Sequence, residues 1–119
     1  MGQVTCFASA ARTATPTPAT FDKGRAERLV VVINVTAVTS TPSVTPRIDF
    51  FDDASGTWTT MLSGAAIATI SKVVLRVGPG MPVVANVSAN DGLPDKLRVD
   101  MGHGNANSIT YTVSAHLLD

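Results

Sequence analysis

Apolar and polar side chains alternate with a period of two along most of this chain, the spacing of strands with one face turned to a core. In RLVVVINVTAV (residues 28–38), Leu29, Val31, Ile33, Val35 and Ala37 share one face. Val30, Val32 and Val38 partly cover the other, which predicts a central strand. VTPRIDFF (residues 44–51) sets Val44, Ile48 and Phe50 inward and Arg47 and Asp49 outward. DDASG (residues 52–56) predicts a hairpin loop, and TWTTML (residues 57–62) returns with Trp58, Thr60 and Leu62 on one side. Residues 63–80 predict a strand pair or one long bent strand, with Val73, Leu75 and Val77 alternating with Val74 and Arg76. MPVVANVSA (residues 81–89) predicts a further strand with Met81, Val83, Ala85 and Val87 on one face. KLRVDM (residues 96–101) turns Leu97, Val99 and Met101 inward, and SITYTVSAHLL (residues 108–118) does the same with Ile109, Tyr111, Val113, Ala115 and Leu117.

No window sustains the i, i+3, i+4, i+7 spacing of a helix. The expectation is an all-β, antiparallel β-sandwich of about seven or eight strands with an extended N-terminal arm. Connections this short leave no room for helical crossovers, so parallel pairing is not expected. Residues 1–24 read as an N-terminal strand or arm with a Pro-Thr connector, and residues 25–119 as the sandwich domain. In the first part Val4, Cys6 and Ala8 alternate with Thr5, Phe7 and Ser9, and Pro16 and Pro18 hold ATPTPAT extended. Two readings fit it: an edge strand with a connector, or an arm docked on another subunit through Val4, Phe7, Pro16, Pro18 and Phe21.

Composition narrows the function. Val, Ala and Thr dominate, aromatics supply 5%, and charged residues 15%, against roughly 25% in ordinary domains. Part of so weakly charged a surface is expected to lie against neighbours. Nine basic and nine acidic residues cancel, which argues against nucleic acid, and no basic or long apolar run argues for a membrane. The single cysteine, Cys6, excludes an internal disulfide, and MGQVTCFASA lacks the features of a signal peptide. Synthesis in a reducing cytoplasm is expected.

Candidate chemistry is sparse. His103 and His116 lack the ligand spacing of a zinc site. Asp49, Asp52, Asp53 and Ser55 crowd one hairpin, yet without calcium-loop spacing, and the same residues make ordinary turns. They lack the aromatic cleft that a glycosidase pair would have. No GxSxG elbow surrounds a serine, nothing near Cys6 lowers its pKa, and Gly78-Pro79-Gly80 is followed by no helix that could seat a phosphate. No catalytic residue, metal site or cofactor is expected. Asn34-Val35-Thr36 and Asn86-Val87-Ser88 match glycosylation sequons but fall within predicted strands. Trp58, with Tyr111, could form a sugar-stacking platform, although a lone Trp beside Leu62 also fits a core.

RLVVVINVTAVTSTPSV, DDASGTWTTML, VVLRVGPG followed by VVANVSAND, LPDKLRV and SITYTVSAHLL cover about three quarters of the chain. In their order and wording they resemble small virion proteins of tailed bacteriophages. The resemblance implies a β-sandwich that decorates and stabilises a capsid, a homo-oligomer such as a trimer docked on the major capsid protein at the virion surface. It also fits a neck, tail-tube or tail-tip subunit. A carbohydrate-binding module for host attachment is a reading of another class. Expected contacts are the arm residues named above together with Asp52, Asp53, Trp58, Pro79 and Met81.

Overall fold

The computed structural model describes residues 2–119. Among these, the regular structure is β1 (Gly2–Arg12), β2 (Ala19–Asp22), β3 (Arg28–Val38), β4 (Val44–Asp52), β5 (Thr57–Ser63), β6 (Ser71–Gly78), β7 (Ser88–Asn90), β8 (Lys96–His103) and β9 (Ile109–Leu118), with no helix. The strands form a five-stranded sheet, β1-β9-β3-β6-β7, and a four-stranded sheet, β2-β8-β4-β5. The two pack face to face as a β-sandwich. Leu29, Val31, Ile33, Leu75, Val113 and Ala115 from the first sheet meet Ile48, Leu97, Val99 and Met101 from the second in one core. These are the positions that period-two alternation turns inward, and the β-branched half of them suits a pleated face.

The first twenty-four residues do not form a separate unit. β1 pairs with β9 along its length and β2 pairs with β8, so residues 13–18 are a crossover between the two sheets. β1 is an edge strand, the first of the two readings. The arm reading gives Phe7 and Phe21 no reason to pack at home, but both are buried in the chain's own core, Phe7 at 8% exposure. What the sequence pattern hid is an extra residue. Val4 pairs with Ala115, Thr5 with Ser114, and Phe7 with Val113, so Cys6 bulges out of the ladder and Val4 and Phe7 reach the same face.

The same device recurs twice. A register shift between Val35 and Ala37 puts Ala37 outward and lets Val38, opposite Ile109, pack on the core. In β5, Leu62 pairs with Ile48 but Thr60 with Asp49. Met61 is the additional residue, and Trp58 and Thr60 face outward while Leu62 faces the core. The expectation of all three on one side is thereby corrected.

A second correction concerns residues 81–89. Only Ser88–Asn90 is strand, and it runs parallel to β6 through Arg76–Ser88, Val77–Ala89 and Gly78–Asn90. Pro79 to Val87 return the chain without a helix. The Val87 and Ser88 amides both donate to the Val84 carbonyl, and Asn86 adopts φ +63°. The Gly80 amide donates to Asn90 Oδ1 at 2.8 Å, at a glycine whose φ is +77°. Pro82 offers no amide, which disfavours a ladder there.

Candidate functional site

Three places on the molecule hold chemistry or exposed surface. The first is the outer face of the four-stranded sheet. β4 and β8 run antiparallel with Arg47 opposite Asp100 and Asp49 opposite Arg98, so alternation places four charges on one face as two cross-strand pairs. Arg47 bonds Asp100, and Arg98 Nε donates to Asp49 Oδ2 at 2.9 Å. Thr60, carried outward by the β5 bulge, donates to the other Asp49 oxygen at 2.9 Å. Asp49 is thus outward-facing yet 2% exposed. Trp58 packs edge-on against Phe51 with centroids 5.2 Å apart, and the Arg98 guanidinium lies 4.6 Å over its ring. Trp58 is therefore neither core nor open platform: a cation already covers one face.

The hairpin acids part company in the structure. Asp49 is consumed by Arg98 and Thr60. Asp52 closes the turn, accepting from the Ser55 hydroxyl at 2.8 Å and the Ala54 amide at 3.2 Å. Those two bonds, the hydroxyl first, hold its carboxyl below the usual aspartate value. Gly56, at φ +69°, returns its amide to the Asp52 carbonyl at 2.8 Å. Asp53 is exposed at the tip. Among the described residues no group of three or more His, Cys, Asp and Glu is placed to hold a metal ion.

The second place is the end of the sandwich beside the crossover. His103 Nε2 lies 3.0 Å from the Tyr111 hydroxyl, and its Nδ1 is buried without a partner. Arg12 lies 4.7 Å over the Tyr111 ring and 5.5 Å over Phe7, donating to the carbonyls of Ala8, Ala10 and Tyr111. Burial, and then the charge of Arg12, hold the imidazole below its ordinary value. Burial pushes the Tyr111 phenol up to about 12. Tyr111 is fully enclosed, 0% exposed, so it cannot stack on a sugar. Cys6 is half-buried, and burial pushes its thiol up to about 11.

The third place was not foreseen. Val83 is 75% exposed and Ile70 64%, with Val84 and Val87 also open to solvent. Val87 lines a shallow cleft of about 390 Å³, and Ile70 and Val84 each adjoin a lining residue in sequence; its walls also include Ala65, Ile67, Ala68, Val73 and Ala85 and no charged side chain. The cleft lies between the β5–β6 connection with the start of β6 and the turn that precedes β7. Two prolines and two glycines within residues 78–82 were the available signal that this run is a loop presenting its valines. Of the expected contacts, Pro79 is exposed, Met81, Asp52, Val4, Pro16 and Pro18 are half-buried, and none lines the cleft. Asn86, expected within a strand, sits on the exposed turn, but the Ser88 hydroxyl of its sequon is buried and donates to the Pro82 carbonyl at 2.6 Å.

Among the described residues no helix is long and apolar enough to cross a membrane. Compared with protein families, with curated proteins and with solved structures, the chain matches none.

Proposed function

We propose that this chain is a structural subunit of a phage particle: a capsid decoration protein that binds the assembled shell of major capsid protein and stabilises it by bridging neighbouring capsomers. The observation that carries the reading is the exposed apolar rim of Ile70, Val83, Val84 and Val87 beside an uncharged cleft. Contiguous apolar surface of this kind marks interaction sites. Fully burying a Val or Ile side chain contributes roughly 1.5–3 kcal/mol, so a shell that covers these four gains several kcal/mol per copy. The resemblance of the chain to phage virion proteins supplies the partner. A homo-oligomer belongs to the reading, with a trimer expected at a three-fold lattice position. It requires neither a reaction nor a cofactor. The carbohydrate-binding alternative loses support, because Tyr111 is enclosed and Arg98 covers one face of Trp58.

The test is co-sedimentation of the purified protein with shells that lack it. Stoichiometric binding is expected, with Val83→Asp/Val84→Asp weakening it at least about tenfold. Both side chains are exposed, so unfolding free energy should stay within about 0.5 kcal/mol of wild type. Protein that ignores such shells overturns the decoration role. Label found on the neck or tail of virions by electron microscopy moves the subunit there instead.

A further inference from the structure

The Tyr111–His103 contact carries one hydrogen too many. If Nε2–H donates to the phenol oxygen, the phenol hydrogen has no acceptor. If the phenol donates to Nε2, the buried Nδ1 bears the hydrogen and lacks one instead, since no partner lies in reach of Nδ1. A neutral imidazole can tolerate this arrangement at modest cost. An imidazolium is disfavoured, because both nitrogens then donate, Nδ1 without an acceptor, and Arg12 already stands over the same phenol ring.

The charged and titratable groups around His103 offer no relief. Arg12 comes from β1 and Tyr111 from β9, while Asp100, whose charge acts on Tyr111, is tied to Arg47 of β4 on the outer face. Among the described residues no carboxylate forms an ion pair with His103 or Arg12. The neighbours differ in how firmly they are held. Tyr111 and Met101 are locked in the core. The crossover itself is attached by one exposed bond, the His103 amide donating to Thr15 Oγ1 at 2.9 Å, and the end of β1 by its pairing of Ala10 to Arg12 with β9 and the Arg12 bond to the Tyr111 carbonyl at 3.1 Å. The ladder of β1 is also irregular between Phe7 and Ala10, a natural point for it to part.

We propose that His103 is an acid-responsive latch, holding residues 8–18 against the end of the sandwich at neutral pH and releasing them in acid. Release uncovers the Phe7–Tyr111 contact and frees the adjoining edge of β9 for another strand. The sign follows from linkage. Folding lowers the proton affinity of His103, so the unfolded or opened chain binds the proton more readily. The closed form is fully favoured above the ordinary imidazole value of about 6.5 and loses ground as pH falls below it.

Amide hydrogen exchange, expressed as protection factors at about pH 7.5 and about pH 4.5, tests the latch together with NMR titration of both histidines. Protection over residues 8–18 is expected to drop at least about tenfold in acid while residues 28–38 hold theirs. His103→Gln keeps a donor for the Tyr111 hydroxyl without a titrating ring, and should flatten the response. His116→Gln should leave it intact. Equal protection at both pH values in the wild type overturns the latch. So does a response that survives in His103→Gln, or a His103 that titrates at or above about 6.5. The wild-type titration and exchange decide the matter even if His103→Gln folds poorly.

Discussion

Arg98→Met would leave the buried Asp49 carboxylate with the Thr60 hydroxyl as its one side-chain hydrogen-bond donor. Breaking one side of a buried pair costs about 3–5 kcal/mol, and Arg98, being partly exposed, should fall near the lower figure, about 3 kcal/mol. Replacing both partners, as Asp49→Val with Arg98→Met, should recover most of that loss, because no charge is then left without water or partner. Urea unfolding of the three proteins measures this. An unchanged midpoint for Arg98→Met would show that the pair holds nothing. Cys6 gives a second test at this scale. With its thiol pushed up to about 11, the thiolate fraction at about pH 8 is roughly a thousandth, against about a quarter for an open cysteine. A disulfide reagent should therefore react at least about a hundredfold more slowly with the folded than with the urea-unfolded protein, and faster as pH rises. Equal rates would mean that the fold does not cover the thiol.

Single extra residues decide which faces the strands present. Deleting Met61 would straighten β5 while leaving Leu62 opposite Ile48 and Thr60 opposite Asp49, so both keep their faces. It should therefore cost within about 1 kcal/mol of Met61→Ala, which only trims a half-buried side chain. A deletion that costs at least about 3 kcal/mol more would argue that the ladder needs the extra residue. This is also where reading the sequence succeeded and failed. Strands with strict alternation, such as Leu97-Val99-Met101 and Ile109 to Leu117, declare their buried face outright. A bulge leaves no compositional mark: Cys6, Thr36 and Met61 look like ordinary members of an alternating run, and only the partner strand reveals that they are surplus. The parallel β7 was illegible for a related reason, since three residues are too few to show any period. The rim was hidden because a run of valines in a loop and in a strand read alike, with the glycines and prolines of residues 78–82 the contrary sign. Of the end cluster, His103 and Tyr111 could be placed on their strands, but nothing in the sequence joins them to Arg12.

At the scale of the whole molecule, the two sides of the sandwich differ in how they are closed. On one, β1 and β2 lie together, linked by the crossover; on the other, β5 comes near β7. The extra residues in β1 make its outer edge a poor template for another strand. Loss of that irregularity should favour edge-to-edge association. Deleting Cys6 to straighten the strand is expected to raise the apparent mass in light scattering, and a strictly unchanged mass would count against edge protection by the bulge. The pairing of β1 with β9, and of β2 with β8, has a further effect while the chain is being made. Neither of the first two strands has a ladder partner until residues 96–118 have left the ribosome, so Phe7 and Phe21 must travel uncovered through most of synthesis. A chaperone that grips short apolar stretches should cross-link to nascent chains at these two positions and let go once β9 emerges.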